Sequence, residues 1–126
     1  GLKTAVLYDF KSRTEKVRKS EEYIVEMCRE VQQAVIDVLI KKTIKAAKDY
    51  RAKLFILGGG VAANEELRKQ FQERIAKEMP NMQYKMPDIK YCTDNAAMVA
   101  VAAYFHFLKK ENHLLKDIIA DSNLRI

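Results

Sequence analysis

Four consecutive apolar residues, Leu54, Phe55, Ile56 and Leu57, run directly into Gly58-Gly59-Gly60, and a helical pattern starts after Val61-Ala62-Ala63-Asn64. Strand, glycine turn, helix is how an α/β protein presents bare backbone N–H groups to a phosphate. Further on, Cys92-Thr93-Asp94-Asn95-Ala96-Ala97-Met98 sets an acid and two polar side chains at the mouth of another helix. Together the two stretches predict a nucleotide site with an acid beside it. The N–H groups after residues 54–57 and the Asp94 carboxylate should converge on one adenylate-sized hollow.

A chain of 126 residues supports one domain with a modest core. Its 48% apolar and 32% charged residues fit a soluble globular protein. No apolar run approaches the roughly 20 residues needed to span a bilayer, and no signal-peptide pattern is present, so no membrane role is expected. The first residue is Gly1 rather than Met, and the residues after it read like the inside of a protein, which predicts a fragment.

Cys28 and Cys92 are the two cysteines. They form no CxxC pair, and with two histidines they cannot make a zinc site of usual spacing. A reducing cytoplasm is the simpler reading. The formal charge of +6 permits a polyanionic partner, and equally an ordinary solvated basic surface. The basic residues concentrate at Lys11, Arg13, Lys16, Arg18 and Lys19 and again in residues 41–53. Aromatic residues do not alternate with them, so a stacking platform for single strands is not indicated.

Residues 2–10 read as helix or strand, and residues 11–20 as a loop or exposed helix end. A long helix is predicted over residues 21–50, with Ile24, Met27, Cys28, Val31, Val35, Val38, Leu39 and Ala46 recurring at helical steps. Ser20 can cap it, and Glu21 and Glu22 complement its dipole. Residues 53–57 read as a buried strand. A second helix over residues 63–78 carries the stripe Leu67, Phe71, Ile75, Met79 and ends at Pro80. Residues 83–86 are a strand candidate closed by Pro87. A third helix over residues 95–110 should face a core with Ala97, Met98, Val101, Ala102, Phe105 and Leu108. Helix, strand, helix, strand, helix argues α/β, with long helices against a small parallel sheet. So few strands leave apolar surface uncovered, which predicts self-association or a partner.

The two turns each have a plain reading and a functional one. The triple glycine is neither a P-loop nor a GxGxxG fingerprint. It can be a tight turn needing positive φ, or Gly59 and Gly60 can admit a ligand to the backbone. Asn64 can cap a helix or hydrogen-bond a base or sugar. Asp94 can cap a helix or serve as an oxygen ligand for a metal. Cys92 has no evident activating partner and should pack. His106 and His113 do not form a reliable ligand pair, and no catalytic side chain can be assigned.

These residues resemble a known family. Gly58-Gly59-Gly60-Val61-Ala62-Ala63-Asn64 followed by Leu67-Arg68 is similar to the Gly-Gly-Val-Ala-Ala-Asn-x-x-Leu-Arg motif of the TsaD (formerly Gcp) family. Its members are tRNA threonylcarbamoyladenosine biosynthesis proteins, once classed as O-sialoglycoprotein endopeptidases. Cys92-Thr93-Asp94-Asn95-Ala96-Ala97-Met98 resembles the family's second motif, Gly1-Leu2-Lys3-Thr4-Ala5-Val6 an earlier segment, and Asn123-Leu124-Arg125-Ile126 its C-terminus. The resemblance spans residues 1–126 but only the C-terminal part of the family's length. It implies part of the second lobe of an actin-like ATPase (sugar kinase and chaperone ATPase) fold. It also implies transfer of threonylcarbamoyl from threonylcarbamoyl-AMP to the adenosine 3′ of the anticodon. By the same resemblance Gly59, Gly60 and Asn64 contact an adenylate or ATP-type nucleotide. Asp94 is one ligand of an iron or zinc ion, whose histidine ligands lie in a first lobe absent from this chain. The implied partners are tRNA and accessory proteins of the TsaB and TsaE type.

The resemblance leaves the isolated fragment expected to be inactive, in metal retention as in turnover. Two alternatives stand beside the enzyme reading: a non-catalytic interaction or assembly module, and a small-molecule carbamoyltransferase of the same fold. The old peptidase label has no support, since neither HExxH nor a nucleophile with an evident base is present.

Overall fold

The computed structural model describes residues 1–110. The readings made for His113, for the tail of residues 111–126 and for the closing Asn123–Ile126 resemblance lie outside the described residues. Helix α1 (Leu2–Ser12) and a single turn α2 (Glu15–Arg18) lead into the long helix α3 (Glu21–Asp49). Strand β1 (Leu54–Ile56), a 3-10 turn (Gly60–Ala63) and helix α4 (Glu65–Glu78) follow. Strand β2 (Gln83–Lys85), a second 3-10 turn (Ile89–Tyr91) and helix α5 (Ala96–Leu108) complete the order. The two strands pair in parallel, Leu54 opposite Gln83 and Ile56 opposite Lys85. The helices and the small parallel sheet match the predicted α/β class.

Helix α3 begins where Ser20 caps it, its hydroxyl oxygen accepting from the Tyr23 N–H at 3.3 Å. It ends in a Schellman motif. The Ala52 N–H bonds the Ala47 carbonyl at 2.9 Å and the Arg51 N–H bonds the Lys48 carbonyl at 3.2 Å. Arg51 takes the left-handed position, φ 51°, that glycine favours. Tyr23 donates its hydroxyl to Asp9 at 2.9 Å, tying α3 to α1, and Arg13 pairs with Asp9 at 2.8 Å.

The core lies between α3 and α4. Ile36, Ile40, Ile44 and Ala47 of α3 pack with Leu67, Phe71 and Ile75 of α4, and Met82 closes the end. Each large side chain buried here contributes about 1.5–3 kcal/mol. Reciprocal amide hydrogen bonds between Gln33 and Gln70, at 2.8 and 2.9 Å, flank the seam. The stripe read on α4 is the buried one, with Met79 partly buried.

On α3 the buried face is not the one the periodicity selected, because Ile24, Cys28, Val35, Val38 and Leu39 are exposed. The reason is length. At 1.5 Å per residue α3 runs about 43 Å and α4 about 21 Å, so α4 covers only one face of half of α3.

Three further expectations are corrected. β1 is not buried: Leu54 and Ile56 are exposed, and only Phe55 points inward, against Phe71 at 5.1 Å and Tyr84 at 5.5 Å. A sheet of two strands has one covered face, so alternate residues meet solvent. α4 starts at Glu65 rather than 63, because the 3-10 turn occupies Gly60–Ala63. α5 forms as predicted but packs on no core among the described residues, and all thirteen of its residues are exposed, Phe105 at 57% among them. Residues 11–20, read as loop or helix end, hold the short turn α2.

Candidate functional site: two turns joined by Arg68

The glycine turn follows β1 directly. Gly59 adopts φ 83°, a conformation that L side chains rarely take, so this position requires glycine. Gly58 and Gly60 do not share that demand. A Cβ built at any of the three meets nothing within 4 Å, so the space above the turn is open. Among the described residues the N–H groups of Gly58, Gly59 and Gly60 make no hydrogen bond, whereas the Ala62 N–H bonds the Gly59 carbonyl at 2.9 Å. Backbone donors without a protein partner, in a turn with no side chains crowding it, are what an anion needs.

Asn64 is the cap of α4. Its Oδ1 accepts from the Leu67 N–H at 2.8 Å and its Nδ2 donates to Gln32 at 2.9 Å. Both ends of the amide are therefore engaged in this conformation. The cavity beside it, ≈ 510 Å³, is lined mainly by apolar side chains of α1, α3 and the turn, including Val6, Met27, Val31, Leu39 and Val61. Such walls suit an apolar group rather than a phosphate. Asp94 does not line this cavity, so the single hollow expected to join Asn64 and Asp94 is not found there.

Asp94 is exposed and is not the helix cap. That role belongs to Asn95, whose Oδ1 accepts from the Met98 N–H at 2.9 Å while its Nδ2 donates to the Thr93 carbonyl at 2.9 Å. The Asp94 carboxylate makes no hydrogen bond or ion pair with the described residues, which leaves its oxygens available. No group of three or more His, Cys, Asp or Glu side chains among the described residues could hold a metal ion. The Asp94 carboxylate therefore has no companion set of metal-binding side chains among the described residues. His106 lies on the exposed helix α5.

The two turns are nevertheless physically connected, through Arg68. Its Nε donates to the Ala62 carbonyl, at the end of the glycine turn. Its Nη2 donates to the Pro87 carbonyl at 2.8 Å and to the Cys92 Sγ at 2.9 Å. Cys92 packs as expected, 4% exposed, but it has a partner that the sequence did not reveal.

A signal for Arg68 does exist. It sits in the first turn of α4, where a positive charge opposes the helix dipole at a cost of about 0.3–1 kcal/mol. Hydrogen bonds from a charged donor contribute about 1.5–3 kcal/mol, so three acceptors outweigh that cost. The planar guanidinium spreads fixed donors toward the Ala62 carbonyl on one side and the Pro87 carbonyl on the other, whereas a lysine presents all its donors from one nitrogen.

The comparisons with known proteins follow the same residues. A family model described as "TsaD: tRNA N6-adenosine threonylcarbamoyltransferase" matches residues 1–101. A protein of that name from Desulfotalea psychrophila is 42% identical over 126 residues, covering 98% of this chain and 36% of that protein. Proteins of the same name from Thermosipho africanus and Lactobacillus acidophilus are 44% and 46% identical, each alignment covering 82% of this chain and 30% of the relative. The chain thus spans about a third of the length of the curated relatives it matches.

Proposed function

The chain belongs to the TsaD family of tRNA N6-adenosine threonylcarbamoyltransferases, and from that premise we propose that residues 1–126 form the C-terminal part of such an enzyme. The proposed setting is the second lobe of an actin-like ATPase fold in the cytoplasm, with tRNA as substrate and TsaB and TsaE type proteins as accessories. The parent transfers threonylcarbamoyl from threonylcarbamoyl-AMP to N6 of the adenosine 3′ of the anticodon. The N6 nitrogen forms a bond to the carbamoyl carbon, the bond from that carbon to the AMP oxygen breaks, and N6 loses a proton.

The observation that carries this reading is the Arg68 tie between an open glycine turn and the turn of Asp94. In the proposed site the bare N–H groups of Gly59 and Gly60 hold the adenylate phosphate. Asn64 exchanges its bond to Gln32 for one to the ribose or base. Asp94 supplies one oxygen ligand to a divalent iron or zinc ion, which when bound polarises the carbamoyl carbonyl as a Lewis acid. With one ligand among the described residues, the 126 residues alone neither hold that ion tightly nor turn over.

The test is tRNA modification by the full-length parent carrying Asp94→Ala. Loss of transfer with an unchanged melting temperature supports the reading, and undiminished transfer removes Asp94 from the mechanism. The exposed apolar helix α5 favours one addition, that this segment is also an assembly surface.

A further inference from the structure

We propose that Arg68 is the positioning residue of this site, a clamp that fixes the glycine turn and the Cys92–Asn95 turn relative to each other. The proposal deepens the transferase reading, on which its kinetic arm rests. Three facts carry it. Arg68 donates to the last stretch of the glycine turn at Ala62, and to both ends of the segment that delivers Asp94, at Pro87 and Cys92. Cys92 is buried against it, two residues before the exposed Asp94. The helix that follows Asp94 gives the turn little support, because every residue of α5 is exposed.

The local bonds of the second turn stiffen it internally. The Cys92 N–H bonds the Ile89 carbonyl at 3.0 Å, and Asn95 bonds the Thr93 carbonyl. These bonds do not link it to the glycine turn, whereas the guanidinium does. Removing the guanidinium therefore leaves each turn formed, with the β1–β2 pairing that ends at the Leu57 N–H bond to the Lys85 carbonyl, 3.0 Å, as the remaining tie between them and the approach beyond the strand ends free to relax. A ligand bound at the glycine turn would then meet the Asp94 carboxylate at the wrong distance. Displacement of about 1 Å at a reacting centre can cost on the order of 100-fold in rate. Lysine keeps the charge but reaches only one of the two directions, so it should restore function in part.

The experiment uses the full-length protein with Arg68→Met and Arg68→Lys. It reads kcat and KM for threonylcarbamoyl-AMP, the melting temperature, and iodoacetamide labelling of Cys92 by peptide mass spectrometry. Cys28, which is exposed, is the internal reference. The expected result for Arg68→Met is a fall in kcat on the order of 100-fold at saturating adenylate, faster labelling of Cys92 and unchanged labelling of Cys28. Arg68→Lys should lie between this variant and the wild type on both measures.

Wild-type kcat and an unchanged Cys92 labelling rate in a folded Arg68→Met protein would overturn the clamp. If Arg68→Met does not fold, the same two wild-type values in Arg68→Lys overturn it. Failure of the wild-type protein to modify tRNA would count against the transferase reading instead. The labelling arm would still decide whether Arg68 holds the two turns.

Discussion

The Nη2 of Arg68 donates to the Sγ of Cys92 across 2.9 Å, bringing together the opening turn of α4 and a residue 24 positions later in the chain. Two sequence motifs that look independent are thereby held by one side chain.

Gly59 and Gly60 should respond differently to alanine. Gly59→Ala places a side chain at φ 83°, ψ 172°, a region essentially confined to glycine, and should destabilise the chain by about 1–3 kcal/mol. Gly60→Ala meets no neighbouring atom and should leave stability unchanged, while weakening nucleotide binding by the parent because a methyl group intrudes where the phosphate would lie. Urea unfolding reads the first effect and nucleotide titration the second. Equal stability of the two variants would contradict the assignment.

Asn64 should be separable into cap and ligand. Asn64→Ala removes the acceptor for the Leu67 N–H and should cost about 0.5–2 kcal/mol. Asn64→Asp keeps that acceptor and loses the amide donor. Its stability should stay near wild type, while adenylate affinity of the full-length protein falls. Wild-type affinity in Asn64→Asp would confine Asn64 to the cap.

Arg51→Gly should stabilise the chain. Arg51 holds a left-handed position in the Schellman motif that ends α3, where a side chain costs about 1–2 kcal/mol. The greater freedom of unfolded glycine returns part of that gain. Thermal unfolding should show a higher midpoint for Arg51→Gly, and a lower one would contradict strain at Arg51.

Acid should loosen the α1–α3 contact. The hydrogen bond from Arg13, then that from Tyr23, holds the Asp9 carboxyl below its ordinary value. Lys48 does the same first for Glu78, which sits beside the α3–α4 seam. A carboxyl depressed on folding stabilises fully above its unfolded value, and that contribution is lost as pH falls through the folded value. The stability difference between wild type and Asp9→Asn should therefore be constant from pH 7 to about 5 and shrink below about pH 4. A difference that grows on acidification would reverse the sign.

Much of the fold was legible because local chemistry and tertiary packing agree. Ser20 caps the long helix it was expected to cap, and the stripe Leu67, Phe71, Ile75 is buried. The sequence does not single out the buried face of α3, because Val31, Val35 and Leu39 have the same helical spacing as Ile36, Ile40 and Ile44. Periodicity cannot tell which of two apolar faces a shorter helix will cover. α5 reads as core-facing because Ala97, Met98, Val101, Ala102, Phe105 and Leu108 recur at helical steps, yet nothing among the described residues covers that face. At the site, the positive φ at Gly59 was one of the two open readings. The cap at Asn95 rather than Asp94 was not anticipated, since adjacent Asp and Asn compete for the same role.

The most direct measurement is hydrogen–deuterium exchange of the full-length protein with and without a non-hydrolysable adenylate. A single site built from two turns predicts slowed exchange at residues 58–63 and 92–95 together, with protection at the second turn diminished in Arg68→Met. Protection confined to one turn, or to neither, would contradict the account.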